Sequence, residues 1–205
     1  MRWLALGGVA GPMLFTTVVA LCASMQPDYS HVAQFISELG ATGTPHAGVM
    51  NFAGFVAGGV GIGAFGLSLA STLPASGWAR SVSVLSSLFG VGLVLAGVFP
   101  CTPGCPQETA TLHDGVSAAA FVSAIAGIAL STLLFRSSPA WRPLWGYSAF
   151  SSVAALCLLI VMASSIDART LTGLWQRLLV GTLFLWYAVA GIHAFRLGGD
   201  RERPT

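Results

Sequence analysis

Few residues in this chain can do chemistry, and most of them lie in three short polar stretches. Residues 26–51, QPDYSHVAQFISELGATGTPHAGVMN, carry Asp28, His31, Glu38, His46 and Asn51. Residues 100–114, PCTPGCPQETATLHD, add Cys101, Cys105, Glu108, His113 and Asp114. A third stretch, 166–177, contributes Asp167, Arg169 and Arg177. Histidines beside carboxylates can hold a metal that activates water, so His31, His113 and Glu38 or Asp114 suit a hydrolase. No HExxH spacing or nucleophile elbow supports that chemistry, however. An arginine beside apolar chain suits an anionic headgroup instead. Cys101 and Cys105 flank a Thr-Pro-Gly turn, and a local disulfide is the reading preferred for an oxidising compartment. A soft-metal pair with His113, or free thiols, are the alternatives.

The elements around these residues must be membrane spans. Of 205 residues, 55% are hydrophobic and 8% charged, where a soluble domain carries about 25% charged residues. The net charge of +2 comes from arginine alone, which is too little for a nucleic-acid footprint. Apolar runs of about 20 residues place six spans near 3–25, 48–72, 81–99, 114–135, 145–165 and 173–195. The first is too long for a signal-peptide core of roughly 7–15 residues, and Leu21 sits where a lipoprotein box ending at Cys22 needs a small residue. It is therefore expected to be a retained span, loosened at Gly11-Pro12. The fold class expected is all-α, a polytopic bundle over 1–197, followed by a disordered tail over 198–205.

Orientation follows from the arginines. Arg2, Arg80, Arg136, Arg142, Arg196, Arg201 and Arg203 flank one side, and only Arg169 and Arg177 the other. Both termini are then cytoplasmic in a cell membrane, and the three polar stretches face outward. Trp78, Trp141 and Trp145 belong to the inner aromatic belt and Trp175 to the outer one.

Within the first outer loop, Val32, Phe35, Ile36 and Leu39 follow the i, i+3, i+4, i+7 spacing of a helix face. His31, Gln34 and Glu38 share the opposite face. The pattern predicts a short amphipathic helix over 31–39 lying across the mouth of the bundle. His113 leads along span four to Ser117, Ala120, Ala124, Gly127 and Ser131, a small and polar face that should point inward. Asp114 leads to Ala118, Phe121, Ile125 and Ile128, a more lipid-like face, and reads as a helix cap. Arg177 and Asn51 also start faces rich in glycine. An intramembrane arginine either serves a site or snorkels to the headgroups. A carboxylate partner, Glu38 or Asp167, is expected for it. The GxxxG pairs Gly54/Gly58 and Gly59/Gly63 mark close helix packing and allow a homo-oligomer.

The runs YSHVAQFISELGATGTPHAGVMNFAGF and HDGVSAAAF resemble the prokaryotic membrane family catalogued as domain of unknown function 998, over nearly the whole chain. The resemblance implies a multi-spanning membrane protein and brings no established activity. Ser37, Glu38, Gly40, His113 and Asp114 match its recurring motif without acquiring a catalytic role from the match. The ISELG loop is also loosely similar to that of the damage-regulated autophagy modulator group, which includes lipid-remodelling membrane proteins.

The reading adopted is a lipid- or amphiphile-binding protein with an outward-facing polar cavity. His31, Glu38, Asn51, His113, Asp114 and Arg177 are its candidate ligand-binding residues. Membrane lipids are the expected partners, and no cofactor or resident metal is expected. The metal-dependent hydrolase is the alternative, with a b-type cytochrome ligated by His46 and His113 behind it. The arginine asymmetry makes one prediction: reporter fusions at the C-terminus should be active only in forms that work inside the cytoplasm.

Overall fold

The computed structural model describes residues 2–105 and 111–201. Six helices are long and apolar enough to cross a membrane: α1 (Arg2–Ser24), α2 (Val49–Thr72), α3 (Gly77–Val98), α4 (Leu112–Ser137), α5 (Arg142–Ser164) and α6 (Thr172–Arg201). No strand occurs among the described residues. Such long helices satisfy every mid-membrane backbone group within one segment, which water cannot do there. Their outward surfaces carry exposed apolar side chains such as Phe150, Leu133, Phe52 and Val153, the pattern that hydrocarbon solvation favours.

Neighbours in sequence are neighbours in space, and α6 closes the ring against α1 and touches α2. Glycine sets the spacing where backbones meet. A Cβ on Gly59 would lie 2.6 Å from Gly90 O, and one on Gly90 would lie 2.5 Å from Gly59 O. On the other face of α2, Gly58 meets Phe15 and Gly61 meets Gly11. Both GxxxG pairs are thus covered within one chain. The ring is filled by Phe15, Phe65, Phe89, Phe184, Trp186 and Tyr187, with Phe15 against Phe184 at 5.2 Å between ring centres.

The start of α1 and the end of α6 lie at one end of the bundle, where Gly198 packs on Arg2. Trp141 at this end is fully buried, stacked on Phe135 at 4.6 Å, with its indole N–H donating to Thr72 O at 3.3 Å. It is therefore core rather than belt, unlike the exposed Trp78 and Trp145. The tail expected from residue 198 starts as helix, since α6 runs on to Arg201. Residues 202–205, and Glu108 in the second loop, lie outside the described residues.

The amphipathic helix expected over 31–39 does not form. Residues 31–34 make turns, and a single 3-10 stretch, Ile36–Gly40, follows. Tertiary bonds capture the carbonyls that a helix would use: Leu174 N–H donates to Val32 O at 2.9 Å and Arg177 Nη1 donates to Gln34 O at 2.9 Å. Short amphipathic segments have little intrinsic helicity to resist such capture. The residue pattern holds in part: Phe35, Ile36 and Leu39 are buried and His31 is exposed, but Glu38 is buried and Val32 exposed.

The packing at α2 and α3 makes a testable contrast. Gly90→Ala should destabilise the bundle by about 1–3 kcal/mol through overpacking, because its Cβ has no room. Gly146→Ala, with nothing within 4 Å, should leave thermal unfolding in detergent unchanged or slightly raised.

Candidate functional site

The segment Phe35–Ala41 is buried throughout and sits as a lid on the loop end of the bundle. Its one 3-10 stretch, Ile36–Gly40, bonds few of its own backbone groups, so the rest need partners. Five side chains, one of them the lid's own Glu38, hold it and the residue before it. Gln176 Oε1 accepts from Ile36 N–H at 2.6 Å. Arg177 Nη1 donates to Gln34 O, and Tyr29 Oη donates to Phe35 O at 2.9 Å. Asn51 Nδ2 donates to Gly40 O at 2.8 Å, so close that a side chain on Gly40 would strike the Asn51 amide. Glu38 Oε1 accepts from Phe35 N–H at 2.9 Å, and its Oε2 accepts from Gln34 Nε2 at 3.2 Å.

Cys101 and Cys105 form the expected disulfide, which wedges under the same lid. A disulfide sulfur has no proton, so Ser37 Oγ–H donates to Cys105 Sγ at 3.6 Å. Thr42 N–H donates to Cys101 O at 2.9 Å and fastens the far end. Asn51 itself sits in a π-helical opening of α2, Val49–Val56, a wider turn of the kind that often marks specialised positions.

Arg177 is paired with neither Glu38 nor Asp167, the carboxylates expected for it. Its guanidinium donates to Gln34 O, to Gly173 O at 2.9 Å and to Tyr29 Oη, and lies over the Tyr29 ring at 5.4 Å. Glu38 turns instead to its own backbone. The reason is local: an unsatisfied amide at Phe35 lies three residues away, and a carboxylate oxygen reaches it without crossing the lid. Burial, partly offset by Arg177, pushes the Tyr29 phenol up to about 12. Tyr29 therefore stays protonated as the hinge between Arg177 and Phe35.

Beneath the lid lies a cavity of about 300 Å³, bounded by α3, α4, α5 and α6 with Phe15 and Phe55. Its walls are mostly hydrocarbon, so it is apolar rather than the polar cavity expected. Its few polar groups gather at the lid: Ser37, His113, Asp114, Ser117 and Gln176. His113 Nδ1 lies 3.1 Å from Ala96 O and 2.9 Å from Phe99 O, at the open C-terminal end of α3. Asp114 is the third residue of a capping box, its Oδ2 accepting from Thr111 N–H at 2.8 Å. The face below Asp114, expected toward lipid, is buried instead at Phe121, Ile125 and Ile128 because α5 covers it.

Arg177 and His31 line a second, more open groove of about 660 Å³ between α1 and α6. Phe15, Ile36, Val180 and Phe184 belong to both spaces and stand between them. His113 and Arg177 thus share a wall and not a pocket, against the expectation of one common site. His31 is exposed, and Glu38 lines neither space. No group of three His, Cys, Asp or Glu side chains among the described residues comes together to hold a metal, which leaves the hydrolase alternative without a centre. His46 borders neither space, so it does not face His113 across one.

Two residues carrying the lid, Gln176 and Tyr29, were not singled out from the sequence. Gln176 is a glutamine inside an apolar span, and that polarity alone was a usable signal. Tyr29 gave none, because a tyrosine near an interface is ordinary.

These features define an all-α protein of six spans, with an interior cavity closed by a hydrogen-bonded loop. The chain belongs to the family described as Protein of unknown function (DUF998), whose model matches residues 9–193. No curated protein and no solved structure matches it significantly.

Two measurements test the lid. Asn51→Leu and Arg177→Met each strand a buried carbonyl, at about 1–3 kcal/mol, so hydrogen exchange of residues 35–41 should quicken while that of α2 and α3 cores holds. The second is a pH dependence. A phenol whose folded pKa is raised stabilises the fold below its unfolded value of 10.0, and that contribution is lost as pH rises toward 12. The gap in unfolding temperature between wild type and Tyr29→Phe should therefore be constant below pH 10 and narrow above it.

Proposed function

We propose that this protein binds a lipid or small amphiphile in the cavity beneath residues 35–41, with the loop end facing outward and both termini in the cytoplasm of a cell membrane. The observation that carries the reading is a space of about 300 Å³, walled by hydrocarbon and fringed at one end by His113, Ser117 and Gln176. That division suits a molecule with an apolar body and a small polar end, since ligand sites combine apolar walls with a few polar groups. Ala118 on α4 and Ala163 on α5 are small, exposed and on the cavity lining. The seam between them gives a ligand a lateral route from the bilayer, so the lid need not open. The lid keeps water from the headgroup end, where bulk access would weaken every hydrogen bond made inside.

The binding reading asks for no reaction at the site. Glu38 is engaged with its own backbone, Asp114 with Thr111, and His113 with the end of α3. A binding or carrier role uses these groups as they stand.

Filling the cavity tests this. Wild-type protein extracted in mild detergent should carry a bound amphiphile detectable by native mass spectrometry. Ala163→Trp should lose it, while Ala57→Trp, on the exposed face of α2, should keep it. Wild-type protein free of any bound amphiphile, with none taken up from added lipid, would defeat the proposal.

A further inference from the structure

The cavity's unpartnered polar atoms restrict the kind of head it can hold. Ala96 O and Phe99 O can only accept, so the proton of His113 must sit on Nδ1, within 3.1 and 2.9 Å of them. The other ring nitrogen, Nε2, is then a bare acceptor. It has no partner among the described residues, although His113 is only 5% exposed and lines the cavity. Gln176 is fixed by the same logic. Its Oε1 must be the atom that accepts from Ile36 N–H at 2.6 Å, so its NH2 is the free end. Gln176 is 9% exposed and lines the cavity too, and no partner among the described residues takes that NH2. One acceptor and one donor are therefore left unmatched at the lid end of a hydrocarbon-walled space. Unmatched buried polar groups are costly, and a ligand that satisfies both is selected over one that satisfies neither.

We infer that the ligand's polar end is a neutral hydroxyl, donating to His113 Nε2 and accepting from the Gln176 amide, which makes the ligand a hydroxyl-bearing amphiphile. This rests on the reading of the cavity as an amphiphile site. The hydroxyl is the smallest group with both roles. Ser117, one turn along α4 from His113, also lines the cavity and can extend the chain of hydrogen bonds. An anionic head offers acceptors only, and would face the lone pair of Nε2 and the carboxylate of Asp114. An ammonium offers donors only and leaves the Gln176 NH2 unmatched. A plain hydrocarbon leaves both atoms unmatched.

The experiment uses the full chain in nanodiscs and four probes of equal chain length: a straight-chain alkanol, alkanoate, alkylammonium and alkane. The alkanol should bind about tenfold more tightly than each of the others, the worth of roughly one buried hydrogen bond. Two variants remove one partner each while sparing the fold. His113→Asn keeps a donor amide where Nδ1 stands and deletes the Nε2 acceptor. Gln176→Glu keeps the oxygen for Ile36 N–H and deletes the NH2. Each should cut the alkanol's advantage over the alkane by about fivefold or more, with alkane binding unchanged. Equal binding of all four probes to wild type would overturn the hydroxyl assignment and leave the amphiphile site standing. So would tighter binding of the alkanoate or alkylammonium, or an undiminished alkanol preference in both variants. Failure of every probe to bind wild type would overturn the site itself.

Discussion

Everything at the loop end depends on one constraint: backbone with only one short 3-10 stretch has been brought into an apolar bundle, where water cannot serve its polar groups. Irregular backbone survives at such depth only where protein supplies the hydrogen bonds. The lid Phe35–Ala41 meets that condition with side chains from four separate parts of the chain. Gln176 and Arg177 come from α6, Asn51 from α2, Tyr29 from the preceding turn, and Glu38 from the lid itself. Three of the polar residues that stand out in so apolar a sequence, Glu38, Asn51 and Arg177, are the lid's scaffolding.

That accounting changes what the ionisable residues can do. A guanidinium engaged with two backbone carbonyls and a phenol, with its Nε buried and unpartnered, is a brace more than a receptor for a headgroup. Its charge is delocalised and lies over the Tyr29 ring, an arrangement that suits arginine and would not suit lysine. With Arg177 and Glu38 occupied, and the Asp114 carboxylate held by Thr111, the free polar atoms left to the cavity beneath are uncharged ones on His113 and Gln176. An apolar space with so small a polar fringe discriminates by hydrogen-bond matching, because only unmatched groups, and not chain length, produce large differences between similar ligands.

The bundle beneath is held by close contact, not by polar bonds. Between helices in lipid, apolar surface alone gives little driving force, so small residues that let backbones approach carry the association. Gly59 and Gly90 bring α2 against α3, and Gly11, Gly58 and Gly61 bring α1 against α2. The cavity lies on the other side of the ring, where α4, α5 and α6 replace glycine pairs with larger side chains such as Phe121, Met162 and Phe184. Tight packing on one flank and looser packing on the other leave the space where it is.

The sequence by itself determined the membrane bundle. Six apolar runs end within a few residues of the six helices, because span length is set by bilayer thickness and composition, both local properties. The inward aim of Asn51 and His113 was legible for the same reason, helical spacing being fixed at 3.6 residues per turn. The GxxxG pairs in α2 and the capping role of Asp114 were equally local. Only the tertiary structure decided the lid. Residues 31–39 have the periodicity of an amphipathic helix, yet Leu174 N–H and Arg177 take the carbonyls of Val32 and Gln34 from more than a hundred residues away. Periodicity reports which side chains want burial, and here that want was met by an extended turn and a 3-10 stretch. The same distance hid the partners of Glu38 and Arg177 and the part played by Gln176. It also hid the wall of Ile36 and Phe184 that parts the cavity from the groove. A hydrogen bond between remote segments leaves no spacing in either of them, so only the folded chain reveals which donors and acceptors remain for a ligand.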